Sequence, residues 1–249
     1  MTETTTAVKP LQFYGTSSPN VWKVQLLLKE LNVPFVYHHL DIRNGDQYSA
    51  EFIKVNPNGK LPAIIDPNIE GEPVRVFESG NILLYLADKY KRFIPQDIKG
   101  RTEVLNWIFW QMANLGPSMG NLYHFLVYAP EKVPYGINRY FNEVRRLLHV
   151  LDKHLDGKNY IYNEQYTIAD MAIYPWTKII SFLPDVNPVE EFPNVSRFNK
   201  TIGELPSVTE FNQELVQFQS RNPYKPPTDD ERKWMFNRDG RSLSPNNSQ

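Results

Sequence analysis

The chain has 249 residues, with 27 basic and 28 acidic side chains and no cysteine. This length is enough for one or two domains. A net charge of −1 gives no electrostatic case for binding nucleic acid or an anionic membrane. No apolar run approaches the ~18 residues that a membrane span needs. The first residues lack the apolar stretch of a secretory signal, so we expect a cytoplasmic protein.

The absence of cysteine excludes several kinds of chemistry. A chain without thiols cannot form disulfides, hold a metal through cysteine or use its own thiol as a nucleophile. The histidines do not fall at the spacing of two ligands on one helix, so we expect no metal site. If this protein acts on sulfur, the sulfur must come from another molecule.

The first half of the chain predicts alternating strands and helices. After a leader at residues 1–9, Leu11–Tyr14 is apolar and predicts a strand. Apolar residues then recur at helical spacing, with Ser18 at the expected N-cap and Pro19 at the first helical position. Further strands are predicted at residues 35–40, 60–65 and 74–77, and a second helix begins near residue 79. These elements predict an α/β domain over residues 10–95.

The second half predicts helices alone. After a linker at residues 91–102, helical periodicity begins at residue 103 and recurs at residues 135–155, from 167, at 195–204 and at 207–217. An α/β half followed by an all-α half indicates two domains, the second over residues 103–220. The proline-rich segment 221–249 predicts an extended tail, docked through Trp234, Met235 and Phe236.

Polar side chains cluster where the first strand meets the first helix. Thr16, Ser17, Ser18 and Asn20 surround the expected helix N-terminus. Backbone N–H groups and the helix dipole attract an anion there, including a thiolate. The alternative is that Ser18 only caps the helix.

A turn lies directly before the third predicted strand, in the segment Asn56–Ala63. The bond between Leu61 and Pro62 is one that can be cis. In that form the N–H and C=O of Leu61 turn outward and pair with an extended peptide. An ordinary β-turn is the alternative.

Glu78 and Ser79 precede the second helix. The carboxylate suits an ammonium group, and a capping serine at a helix N-terminus suits a carboxylate. Together they suit the zwitterionic end of an amino acid, although Ser79 acting as a cap alone is the alternative. All three polar segments are expected at one edge of the α/β domain. That pattern fits a small thiol peptide, γ-glutamyl-cysteinyl-glycine.

Longer motifs in both halves resemble the glutathione transferase family. They are Asn58–Ala63, Glu78–Ser79 and Tyr166–Ala172. The resemblance covers about residues 11–220. It implies a fold of class α/β + all-α, in which a thioredoxin-like N-terminal domain precedes an all-helical glutathione transferase C-terminal domain.

Finer motifs are similar to one branch of that family, the nu-class or disulfide-bond-oxidoreductase type, which includes the fungal prion-forming nitrogen regulator. These motifs are Ser18–Asn20, Gly45–Tyr48, Phe77–Gly80, Asn106–Gln111, Gly116–Pro117 and Pro134–Tyr140. In bacterial members a threonine commonly stands where this chain has Ser18. The chain lacks the regulator's long Asn-rich N-terminal region, so no prion property is implied.

The resemblance implies roles for individual residues. Asn20 approaches the glutathione sulfur, and Ser18 is a candidate for the catalytic hydroxyl, with Thr16 and Ser17 as competitors. Gln47 contacts the glycyl end of glutathione. The remaining glutathione contacts are Lys60 at the glycyl carboxylate, the Leu61 backbone at the cysteinyl unit, Glu78 and Ser79 at the γ-glutamyl end, and Arg139 across a homodimer interface.

Aromatic side chains in the first part of the helical domain are expected to wall the cleft, with a helix core as the alternative. They are Trp107, Trp110, Tyr123, His124 and Phe125. The resemblance implies a glutathione-dependent disulfide reductase or thiol transferase, in which bound glutathione supplies the thiol. Three alternatives stay open: conjugation of electrophiles, reduction of hydroperoxides, and a non-catalytic regulatory protein that binds a partner.

Overall fold

A computed structural model describes residues 8–236. Residues 1–7 of the expected leader and the end of the tail, 237–249, lie outside the described residues. The strands are β1 (Leu11–Gly15), β2 (Phe35–His39), β3 (Ala63–Asp66) and β4 (Val74–Phe77). The helices are α1 (Pro19–Leu31), α2 (Ala50–Val55), α3 (Ser79–Tyr90), α4 (Ile98–Trp110), α5 (Gly116–Tyr123), α6 (Pro134–His154), α7 (Ile168–Thr177), α8 (Pro188–Glu191), α9 (Pro193–Gly203), α10 (Pro206–Arg221) and α11 (Asp229–Met235).

The N-terminal domain is built on one mixed sheet with the strand order β2-β1-β3-β4. β1 pairs with β2 in parallel, and the other two pairs are antiparallel. The inner strands are apolar on the covered side, with Leu11, Phe13 and Ile64 fully buried. This is the predicted thioredoxin-like domain.

The strand register places the three polar segments at one edge of the sheet. Tyr14 lies opposite Ala63, and Ala63 lies opposite Phe77. The chain therefore leaves β1 toward α1, arrives at β3 from Pro62 and leaves β4 at Glu78, all at the same end of the sheet. The expectation that these segments converge is confirmed.

The C-terminal domain is helical, as predicted, and its first helix starts earlier than expected. The Asp97 side chain accepts a hydrogen bond from the N–H of Gly100 at 2.8 Å, so α4 begins at Ile98 within the expected linker. Two π-helical turns, Gln111–Leu115 and His124–Tyr128, flank α5. The helical periodicity that begins at residue 103 did not predict α5 or the two π-helical turns.

A capping box starts α7 where the sequence predicts one. The N–H of Thr167 donates to Asp170 Oδ2 at 2.7 Å, and Thr167 Oγ1 accepts from the N–H of Ala169. Every residue of α7 is buried. This helix packs against α1 and α4, so it joins the core of the helical domain to the first helix of the other domain.

Within the described residues, the tail is only partly extended. Residues 222–228 lack regular structure, but α11 follows them with its own capping box between Thr228 and Glu231. The prediction of an extended tail is therefore wrong at Asp229–Met235, because the Thr-x-x-Glu pattern after the prolines starts a helix. None of the helices within residues 8–236 combines the length and apolar character needed to cross a membrane.

Candidate functional site

Ser18 lies at the N-cap of α1, as predicted, with extended backbone geometry. Its carbonyl accepts the N–H groups of Val21 and Trp22, but its hydroxyl makes no capping hydrogen bond. Pro19 occupies the first turn, where a missing N–H costs nothing. The hydroxyl of Ser18 is therefore not committed to holding the helix.

Asn20 is held by the other domain. Its Oδ1 accepts a hydrogen bond from Trp176 Nε1 at 3.2 Å. Because the indole can only donate, this contact orients the carboxamide with oxygen toward α7. The Nδ2 of Asn20 then remains as a hydrogen-bond donor at the start of α1, where it can donate to a thiolate.

The Leu61–Pro62 peptide is cis. The loop before it is held by Asn56, which is buried and whose Nδ2 donates to the Lys60 carbonyl at 2.6 Å. Among the described residues no hydrogen bond engages the Leu61 backbone. Its amide and carbonyl are thus available to pair with an extended ligand. The Lys60 side chain is exposed.

The helical cap of α3 comes one residue earlier than expected, so Glu78 and Ser79 lie one position further into the helix. Glu78 is the N-cap and Ser79 is the first helical residue, so the prediction that Ser79 caps α3 is wrong. Glu78 has a φ of 68°, an uncommon left-handed conformation for a residue with a side chain. Such backbone conformations cost about 1–3 kcal/mol and cluster at functional sites.

Lys23 is the charged group that sequence reasoning missed. It is 1 % exposed, and its Nζ donates to Gln111 Oε1 at 2.6 Å and to Ser79 Oγ at 3.4 Å. Burial lowers the pKa of Lys23 well below its ordinary value, and the Glu78 carboxylate opposes that shift. The available signal was a lysine followed by Leu26 and Leu27 at helical spacing, which places it on an apolar face.

Gln47 is enclosed by the tail. It is 4 % exposed, and its Nε2 donates to the Trp234 carbonyl at 3.1 Å. Beside it, the backbone of Gly45 passes so close to the Trp234 ring that a Cβ there would lie 2.4 Å from the ring. The Gly45–Gln47 segment, which carries the predicted contact to the glycyl end of glutathione, therefore also forms the surface on which α11 packs.

A cavity of about 930 Å³ lies between the two domains and is bounded on one side by the tail. It reaches the start of α1 at Thr16, Ser17 and Pro19, and touches Trp176, the partner of Asn20. This volume is at the upper end of the range for small-molecule sites.

The aromatic wall differs from the predicted one. Of the five expected aromatic residues, Tyr123 lines this cavity. Trp107 instead packs on His154, with ring centroids 4.0 Å apart, and Phe125 stacks on Tyr140. Trp110 packs against Trp107, and His124 contacts Phe236 of the tail. Tyr128 and Trp176, which were not predicted, line the cavity.

Arg139 lies outside this cleft within a single chain. It is on the exposed side of α6, where its guanidinium is 4.0 Å from Glu143.

The described residues, 8–236, contain no group of three or more His, Asp or Glu side chains that could hold a metal ion.

Comparison with known proteins gives the same two-domain division. Models of the glutathione S-transferase N-terminal and C-terminal domains match residues 17–89 and 137–206. The disulfide-bond oxidoreductase YghU of Escherichia coli is 44 % identical over 214 residues, which are 80 % of this chain and 73 % of that protein. Protein URE2 of Debaryomyces hansenii is 28 % identical over 79 % of this chain and 75 % of its own length.

A solved structure has the same fold. The glutathione transferase from Pseudomonas putida, with one glutathione disulfide bound per subunit, has a TM-score of 0.74 and 37 % sequence identity. The match covers 81 % of this chain and 90 % of that one. With both domains matched and a relative at 44 % identity, this chain belongs to the glutathione S-transferase family.

Proposed function

We propose that this protein reduces disulfides with glutathione as its source of thiol. The observation that carries the proposal is the convergence of Asn20, Leu61 and Ser79 at one end of the sheet in a chain without cysteine. The name of the Escherichia coli relative and the glutathione disulfide bound by the Pseudomonas putida protein support it.

The thiol of the bound glutathione lies, in this proposal, at the start of α1. The helix N-terminus, the Asn20 amide nitrogen and the Ser18 hydroxyl stabilise the thiolate and lower the pKa of the thiol. A lower pKa raises the thiolate fraction at neutral pH, although each thiolate becomes a weaker nucleophile. The unused hydroxyl of Ser18 and the orientation of Asn20 by Trp176 favour these assignments.

The rest of the tripeptide extends along the sheet edge. The Leu61 backbone pairs with the cysteinyl unit, while Glu78 and Ser79 hold the ammonium and carboxylate of the γ-glutamyl end. Lys60 and Gln47 bind the glycyl end. In a homodimer Arg139 reaches the glutathione of the other subunit; its exposure within one chain is compatible with that role.

The reaction proceeds by two thiol–disulfide exchanges. The bound thiolate attacks one sulfur of a disulfide, forms a mixed disulfide with it and releases the other sulfur as a thiolate, which takes up a proton. A second glutathione thiolate then attacks the glutathione sulfur of the mixed disulfide and releases the second thiol. The sum converts two glutathiones and one disulfide into glutathione disulfide and two thiols.

The experiment compares two co-substrates at the same glutathione concentration, hydroxyethyl disulfide and a chlorinated aromatic electrophile. We expect turnover of the disulfide, and we expect Asn20→Ala to remove most of it. Asn159→Ala is the matched control, because Asn159 is exposed, is hydrogen-bonded to Glu164 and does not line the cavity. Turnover of the aromatic compound alone would assign a conjugating transferase instead.

A hydroperoxide added as a third co-substrate tests the peroxidase alternative. Glutathione binding without turnover of any of the three compounds would favour a regulatory binding protein. An Asn20→Ala variant as active as the unaltered chain would contradict the assignment of the site.

A further inference from the structure

The C-terminal segment 222–236 lies across both domains. On the N-terminal domain, Arg43 Nη2 donates to the Lys225 carbonyl at 2.6 Å and Arg43 Nη1 lies 3.5 Å from Glu231 Oε2. On the helical domain, Arg232 Nε donates to the Tyr128 carbonyl at 3.1 Å. These contacts hold the segment before α11 and within it, and they lie on both sides of the cleft.

Aromatic packing adds to these polar contacts. Trp234 covers Gly45 and receives the Gln47 hydrogen bond at its carbonyl. Phe236 packs on His124 and Tyr128, with ring centroids 4.8 and 5.4 Å apart. A helix of seven residues is marginal by itself, so these contacts and its capping box hold α11 in place.

The docked segment forms one wall of the 930 Å³ cavity. Tyr224, Lys225 and Met235 of the tail line that cavity, as do Thr16 and Ser17 just before α1. The space between them accommodates a small co-substrate. A disulfide on the surface of a folded protein brings its surrounding surface with it, and that surface meets the tail before the sulfur reaches α1.

We propose that segment 222–236 restricts the acceptor to small disulfides and excludes disulfides held in folded proteins. This inference rests on the proposed disulfide reduction and names its substrate class. Specificity here comes from a steric obstacle to the larger acceptor rather than from added contacts to the smaller one.

The test undocks the segment within the full chain. Trp234→Ala removes the ring over Gly45, and Gly45→Asn places a side chain where that ring now lies. Asparagine is chosen because it tolerates the φ of 84° at Gly45 better than other residues with a side chain. Lys233→Ala is the matched control, since Lys233 is on the same helix with its side chain 69 % exposed.

Each variant is assayed with glutathione and two disulfides, hydroxyethyl disulfide and insulin. We expect the ratio of insulin to hydroxyethyl disulfide turnover to rise about tenfold or more in Trp234→Ala and Gly45→Asn, and to stay unchanged in Lys233→Ala. Hydrogen exchange of segment 222–236 is measured on the same samples and should become faster in the first two variants only.

The outcomes separate the two proposals. If the unaltered chain reduces neither disulfide, the proposed function is wrong and this inference is lost with it. If the unaltered chain reduces hydroxyethyl disulfide, and the two variants show the same ratio of insulin to hydroxyethyl disulfide turnover despite faster hydrogen exchange, only the inference about the tail is wrong. Unchanged exchange in both variants would contradict the docking contacts themselves, and rapid insulin reduction by the unaltered chain would contradict the exclusion.

Discussion

Lys23 Nζ donates a 2.6 Å hydrogen bond to Gln111 Oε1 across the boundary between the two domains, with both side chains buried. The same nitrogen reaches Ser79 Oγ at 3.4 Å, and Met112 lies beside both groups. The proposed γ-glutamyl site on α3 is therefore tied to the helical domain through a lysine on α1. Its position depends on how the domains pack as well as on the sheet.

Loss of one partner of this pair is expected to be costly. Gln111→Leu leaves the buried Lys23 amino group without its shortest hydrogen bond and should lower the free energy of unfolding by about 1–3 kcal/mol. Lys23→Met with Gln111→Leu replaces both polar groups by apolar ones and should restore most of that loss. Urea unfolding of the two single variants and the double variant measures this coupling. A double variant as unstable as the sum of the singles would show that the pair is not coupled.

The sequence could predict what depends on neighbours along the chain. The strands, the long helices and the Thr167–Asp170 capping box follow from local pattern, and three polar turns were sufficient to indicate a shared sheet edge. The Lys23–Gln111 bond joins residues 88 positions apart. Only the tertiary fold brings α1 next to Gln111, at the start of the first π-helical turn. The apolar face of α1 indicates that Lys23 is buried, but nothing in the sequence indicates its partner.

Two other differences between the predicted and observed structure have local causes. Ser79 was expected at the N-cap because serine favours that position, but the left-handed backbone at Glu78 moves the start of the helix by one residue. No helix was predicted in the tail because the prolines at 223, 226 and 227 disfavour regular structure there. The Thr228–Glu231 capping box was the signal that was available.

The hydroxyl that stabilises the thiolate can be identified by measuring the pKa of the bound glutathione thiol in variants, because the chain has no cysteine of its own. Ultraviolet absorbance of thiolate in the complex then reports on glutathione alone. We expect Ser18→Ala to raise the pKa of the bound thiol and lower kcat about tenfold, as loss of a hydrogen bond to a charged group implies. Thr16→Ala and Ser17→Ala are the comparison variants. A larger shift in either of them would move the role away from Ser18.

The proposed contact across a homodimer can be tested with two arginines of α6. The Arg139 and Arg146 side chains are 59 % and 58 % exposed, and both lie near Glu143. We expect Arg139→Ala to raise the KM for glutathione about tenfold through loss of a charge-assisted hydrogen bond, with a smaller effect on kcat. Arg146→Ala should leave both constants unchanged. Equal effects of the two substitutions would mean that Glu143 or the helix, rather than Arg139, is responsible.

The buried carboxyl of Asp170 should make the free energy of unfolding depend on pH. Burial raises the pKa of this carboxyl to about 7, although hydrogen bonds from the N–H groups of Ile161 and Thr167 oppose the shift. Because the folded pKa lies above the ordinary value of 3.8, this group's contribution to stability is complete below about pH 4. It is lost as the pH rises through about 7.

We therefore expect the free energy of unfolding to fall by about 1–2 kcal/mol between about pH 5.5 and pH 8 because of Asp170. Asp170→Asn keeps an acceptor for the N–H groups but does not titrate, so it should remove that part of the slope. Urea unfolding of both proteins across this pH range gives the difference directly, since all other titrating groups are shared. Parallel profiles would show that Asp170 stays ionised in the folded chain, and that hydrogen bonds from the Ile161 and Thr167 N–H groups and from the Thr167 hydroxyl outweigh its burial.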